Sequence, residues 1–305
     1  MTRIPYFRWL AGALLWSTTV VCQNVPGVTY VDQPNGIDLA VLVRVWPPLE
    51  QNISDLRRGR TTEVRKALEA RTKPSAGELN LLAQLEWQHG DLAAADTAVA
   101  KAVALEPANP LHAFQKAMIA FAHLRKADST WQRWTWHSRT REAYQRVFAL
   151  DPRNIPARYY LAYSFLNTPA IGGGSTEKAL ALADAGVALG QYEFYAVRAD
   201  VHRVRGEKDA AIADYDRAIA LKVIKLGGLL EAAEAALKEG DKERAKKYLD
   251  WAVYCRSDAG GSFEGLGDYY ASVGKIGEAR VNYGLAIQKD PKRASALSKL
   301  GGLSK

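Results

Sequence analysis

The stretch GGSFEGLGDYYASVGKIGEARVNYGLAIQKDP, residues 260–291, decides the fold. It opens on small residues, turns at Gly274, resumes with Ala279, Tyr283 and Ala286, and stops at Pro291. Working back along the chain, Gly240 and Gly206 each precede the next glycine of the series by 34 residues. Ala211, Ala245 and Ala279 keep that spacing, as do Ala218, Ala252 and Ala286, with a large residue between them at Tyr215, Leu249 and Tyr283. Such a period with a glycine turn inside it describes a helix–turn–helix unit repeated along the chain. The reason is steric. Two helices that cross closely need small residues at the crossing, and glycine ends the first helix where a positive φ is required.

Within that stretch, Phe263, Leu266, Gly267, Tyr270, Gly274, Ala279, Tyr283, Ala286 and Pro291 resemble the tetratricopeptide repeat family almost position for position. The resemblance extends over roughly residues 76–303. It implies an all-α, right-handed superhelical solenoid of antiparallel helix pairs, with about six units at 76–109, 110–154, 155–191, 192–225, 226–259 and 260–293. A capping helix over Arg293–Leu303 should cover the last apolar face. The second unit runs to 45 residues, and its surplus is expected between its helices, around Arg125–Ser138, with Trp131, Trp134 and Trp136. The inter-helix turn of the third is stretched over Thr168–Thr176.

The solenoid is expected over residues 75–305, behind an arm and degenerate helical segment at 23–74. Pro34, Asn35 and Gly36 mark a turn. Asp38–Trp46 is apolar and β-branched, so it reads as an extended arm or short strand, ended by Pro47 and Pro48. Two fates are open to it: packing along the array, or lying in the array's own groove as a built-in plug. Leu49–Arg71 reads as one or two helices with Gly59 at a turn, and Ser75 as an N-cap ahead of Glu78. Residues 1–22 read as a signal peptide: Arg3 and Arg8 precede Trp9–Val21, which suits a signal core and is short for a membrane span. Cleavage fits after Thr19 or Cys22, and the expected location is exported, periplasmic or secreted. The alternative is a membrane anchor through this segment, uncleaved or lipidated at Cys22, and weak membrane association belongs to that alternative. Bulky Val21 argues against the lipid.

Net charge is +8 with 24% charged residues, and no run of five or six like charges occurs. Basic residues alternate with Glu and Asp along helices, as over 242–247, which describes solvated faces and argues against nucleic acid as partner. Glu231/Glu234 and Asp214/Asp216 read the same way. Catalytic constellations fail one by one. Ser262 is followed by Glu264 where a nucleophile elbow needs glycine, and the glycines at 172–174 lack the Gly-Lys-Ser/Thr of a phosphate loop. His89, His112, His123, His137 and His202 form no i+3 or i+4 pair, so no metal is expected and they read as scattered surface or interface residues. Cys255 reads as buried and inert. The chain is expected to be no enzyme and to carry no cofactor.

In the family, the first helix of each unit lines a concave groove. The matching positions here are Asn80, Gln84, Trp87 and Gln88, then Leu111, Phe114, Met118 and Phe121, then Tyr159, Tyr163, Leu166 and Asn167. The basic residues with which some members clamp a C-terminal carboxylate are missing from these positions. What the groove offers instead is an aromatic and Met cluster, larger than monomers usually leave bare. The cover is the Trp131–Trp136 insert or the arm, a bound peptide or hydrophobic ligand, or a second copy. The expected partner-binding residues are Trp87, Phe114, Met118, Phe121, Tyr159, Tyr163 and Leu166, with Arg198 and Arg203 as polar selectors. The expected function is a non-catalytic exported scaffold for a protein partner or extended peptide. The alternative is a binding protein for a small hydrophobic ligand in an envelope transport or assembly system.

Overall fold

The computed structural model describes residues 32–33, 36–223, 228–255 and 260–303; the signal-like stretch, Pro34 and Asn35 lie outside them. The chain divides into two compact units, Met1–Gly174 and Ser175–Lys305. In the first, a minimal antiparallel pair, β1 (Asp32–Gln33) and β2 (Gly36–Ile37), leads into α1 (Leu39–Val45), a single turn at Pro47–Leu49, α2 (Glu50–Arg57) and α3 (Thr61–Glu69). The helical hairpins follow: α4 (Ala76–His89) with α5 (Leu92–Leu105), α6 (Pro110–Lys126) with α7 (Thr130–Leu150), then α8 (Ile155–Asn167) and a turn at Ala170–Gly172. The second unit holds α9 (Thr176–Ala188), α10 (Glu193–Arg205) with α11 (Lys208–Ala220), α12 (Leu229–Lys238) with α13 (Lys242–Cys255), α14 (Gly260–Ser272) with α15 (Ile276–Lys289), and α16 (Ala294–Gly302).

The repeat's small and turn residues do what their spacing requires. Gly206, Gly240 and Gly274 end their helices at φ of 76°, 81° and 76°, a region that costs a residue with a side chain about 1–2 kcal/mol. Ala211, Ala245, Ala279, Ala218, Ala252 and Ala286 are all buried, with Tyr215, Leu249 and Tyr283 between them. A Cβ at Gly267 would stand 2.4 Å from the Tyr283 ring, so this glycine is what lets α14 close on α15. Helix starts are fixed by side chains. Ser75 accepts the Glu78 N–H at 3.2 Å while Glu78 accepts the Ser75 N–H at 2.8 Å, a reciprocal capping box. Asn109 and Asn154 cap α6 and α8, each with a proline in the first turn. The terminal helix α16 is held by charge: Glu264 accepts from Arg293, Ser295 and Lys299, and Lys299 also reaches Asp268 at 2.6 Å.

Two segments differ from their sequence reading. Leu39–Val45 is a helix, not an extended arm. Asp38 accepts the Ala40 N–H at 2.7 Å and starts it, Val41 and Leu42 bury on one side, and the two prolines stop it. Strand propensity in a seven-residue run is a weak preference beside a cap and a buried face. The surplus of the second hairpin is not a loop either. It lengthens both helices and leaves only Ala127–Ser129 between them. Ser129 caps α7 by accepting the Gln132 N–H, and His123 stacks on Trp136 across the extension at 3.9 Å and 3°. Among the described residues, no helix is long and apolar enough to cross a membrane.

Candidate binding groove

The helices α4 and α6 are the first helices of two successive repeats and pack on each other; β2 lies against both. Here Gln84 meets the chain's own backbone. Its Oε1 accepts the Ile37 N–H at 2.8 Å and its Nε2 donates to the Ile37 carbonyl at 2.9 Å. Both residues are buried. A carboxamide presents one donor and one acceptor side by side, so it pairs with one residue of extended main chain as a neighbouring strand would.

One turn earlier on α4, Asn80 donates to His112 Nδ1 at 2.9 Å. That leaves the ring proton on Nε2, which donates to Glu106 at 3.1 Å, and Glu106 also accepts from Asn109 at 2.7 Å. Burial lowers the His112 pKa, with Glu106 acting against it, and the ring is neutral near pH 7. Trp46 stacks on this imidazole at 4.9 Å and lies over Gly77, where a Cβ would meet the indole at 2.5 Å. On the other side of α4, Arg65 of α3 pairs with Glu86 at 3.2 Å. The floor under Ile37 is thus a rigid polar network rather than an open apolar trough. His112 and His137 are buried, which corrects their reading as surface histidines; among the described residues no group of three or more His, Cys, Asp or Glu is placed to hold a metal ion.

The aromatic cluster is knitted inward. Phe114 stands edge-on to Tyr144 at 6.5 Å, Tyr144 stacks on Tyr160 at 4.5 Å, and Phe121 meets Tyr160 edge-on at 5.8 Å. Phe114, Met118 and Tyr163 are buried, where the helical projection placed them on an open surface. The projection carries no tertiary cover, and Tyr144 of α7 supplies part of it for Phe114. Trp87, Phe121, Tyr159 and Leu166 keep part of their surface, and the Tyr159 ring lies 4.9 Å from that of Tyr163. Trp87 packs against the apolar core of Ala83, Ala95, Ala98, Val99 and Ile119.

Arg198 and Arg203 belong to the second unit. Arg198 is bidentate to Asp214 at 2.7 Å for both bonds and reaches Asp184 at 3.1 Å. Asp214 is therefore buried under a guanidinium, which corrects its reading as part of a solvated face. Arg203 lines a cleft of about 200 Å³ with Ile212, Tyr215, Ala235, Arg244 and Tyr248, and beside it Tyr215 donates to Asp200 at 2.5 Å. Burial pushes the Cys255 thiol up to about 12, so it is unreactive as a thiolate.

No family model matches the sequence, and no curated protein does. Solved structures do. PilW, described as a widely conserved type IV pilus biogenesis factor, superposes with a TM-score of 0.55 at 14% identity, over 74% of this chain and 98% of that one. A tetratricopeptide repeat protein from Parabacteroides merdae gives 0.56 at 13% identity, over 84% of this chain and 97% of that one. The APC/C hetero-tetramer Cut9–Hcn1 gives 0.58 at 14% identity, over 88% of this chain and 52% of that one. The chain has the tetratricopeptide-repeat fold. These likenesses are of fold.

Proposed function

We propose that this protein is a non-catalytic, exported scaffold that holds an extended segment of a protein partner in the groove of its first unit. The observation that carries the reading is the two-point grip of Gln84 on Ile37. The groove already binds main chain in an extended register, and the bound residue is the chain's own. Main-chain hydrogen bonds give affinity in such a site and side-chain slots give selectivity. Trp87, Phe121, Tyr159 and Leu166 are the partly open side chains beyond that grip, with buried Phe114, Met118 and Tyr163 beneath them. The competing reading, a small hydrophobic ligand, draws on the cleft beside Arg203. Its volume of about 200 Å³ is below the roughly 300–1,000 Å³ of pockets that enclose drug-sized ligands, which favours the groove.

The test is photocrosslinking in native extract from p-benzoylphenylalanine at position 159. An Ile37→Pro change removes the N–H that Gln84 accepts and weakens the internal occupant. A partner that competes for the groove crosslinks more strongly to the Ile37→Pro chain than to the unmodified one. Equal or weaker crosslinking, with helicity retained, rejects the reading.

A further inference from the structure

We propose that the start of α7 and the turn Ala170–Gly172 form a docking surface for an anionic lipid membrane. This surface lies wholly in the first unit, and none of its residues takes part in the grip of Gln84 on Ile37. Its apolar part stands out from the molecule: Ile171 is 98% exposed, Trp131 76% and Trp134 40%. Trp131 and Trp134 are three residues apart on α7 and share a face. The Trp134 ring lies on Gly172, where a Cβ would meet it at 2.5 Å, so Ile171 and the indoles form one strip. Arg141, two turns further along the same face, donates to the carbonyls of Gly172 at 2.8 Å and Gly173 at 3.3 Å and fixes the turn against the helix.

The charge around the strip is mainly positive. Residues 121–142 contain Arg125, Lys126, Arg133, Arg139 and Arg141 against Asp128 and Glu142. Where these cations are hydrogen-bonded, their partners are carbonyls: Gly90 for Lys126, Ala127 for Arg133, Gly172 and Gly173 for Arg141. Arg139 lies over the Trp136 ring at 4.8 Å. Among the described residues none of the five pairs with a carboxylate, whereas elsewhere in the chain Arg198, Arg244 and Arg293 all do. The positive charge here is left for something outside the molecule.

Exposed indoles beside unneutralised guanidinium groups match the headgroup layer. Tryptophan settles there with its apolar ring inward and its N–H in the wet region. Basic residues next to it gain from anionic lipid. A protein partner would also cover apolar surface, but cations without a carboxylate partner select an anionic surface, and exposed indoles beside them select a lipid one. The helix α7 continues into Glu142, Gln145 and Arg146, all exposed, so it rests at the interface and does not insert along its length.

The full chain tests this, with a local reporter because residues 9–21 could reach a membrane on their own. An Ile171→Cys change in a Cys22→Ser/Cys255→Ser background carries a nitrobenzoxadiazole dye. Vesicles of phosphatidylcholine with phosphatidylglycerol are compared with phosphatidylcholine alone. The dye should shift to the blue and be quenched by brominated acyl chains on the anionic vesicles only. Trp131→Ser/Arg139→Glu should weaken that response about tenfold or more, with circular dichroism unchanged. Co-sedimentation of the same double variant in the native cysteine background repeats the comparison without the dye. A dye that stays in water while the protein pellets, equal response to neutral vesicles, no binding, or a blue shift without lipid from self-association would each overturn the proposal.

Discussion

Lowering the pH should loosen the first unit through His137. This imidazole is 5% exposed, with its Nε2 at 3.2 Å from the Ser164 hydroxyl and 3.4 Å from that of Thr168. Burial lowers its pKa first and Arg141 adds to the shift, to about 4. In the unfolded chain the group titrates near about 6.5. Between those values the unfolded state takes up a proton and the folded state does not, so stability falls as pH drops from about 6.5 and levels off below about 4. At about 1.4 kcal/mol per unit, the whole window is worth about 3 kcal/mol. Other groups titrate over the same range, His112 in the same direction, so the informative quantity is a difference. Urea unfolding, followed by hydrogen exchange in peptides from α7 and α8, is measured from pH 7 to pH 4 for the native chain and for His137→Gln. The native chain should lose about 3 kcal/mol more than the variant over that window. Parallel curves would refute the reasoning, because they would mean that the buried ring is no less basic when folded.

Two further outcomes follow from the packing. Gly267→Val places a branched side chain where even a Cβ meets the Tyr283 ring at 2.4 Å, and should cost the second unit about 1–3 kcal/mol in urea unfolding. Glu264→Gln removes the charge that gathers Arg293, Ser295 and Lys299, and should release α16 to limited proteolysis at a cost of about 1–3 kcal/mol while the α10–α11 hairpin stays protected.

The repeats were legible because steric rules act locally and recur. A glycine at a positive φ and an alanine at a crossing leave the same mark every 34 residues, from Gly206 to Ala286. The groove was legible only as a face. Asn80 and Gln84 fall on it by spacing, but that spacing could not reveal what each pairs with. His112 lies 32 residues from Asn80 and Ile37 lies 47 from Gln84, and neither distance follows from the repeat. The buried state of Phe114 and Tyr163 was hidden for the same reason, since a helical projection shows direction without cover. The extra residues of the second hairpin were misplaced because the projection assumed helices of family length, while Ser129 starts α7 early and lets both helices grow.

The hold of Gln84 on main chain is what makes the groove a site for extended backbone, and hydrogen exchange at the Ile37 amide measures it. Loss of two buried hydrogen bonds in Gln84→Ala should cost about 2 kcal/mol locally, or about thirtyfold faster exchange. Gln84→Glu keeps the acceptor for the Ile37 N–H and loses the donor to its carbonyl, so it should fall between. The α10–α15 amides should not change in either variant. An Ile37 amide that is slow in the native chain and freed in this order supports a groove built to bind extended backbone. An amide that exchanges at the same rate in all three chains contradicts it.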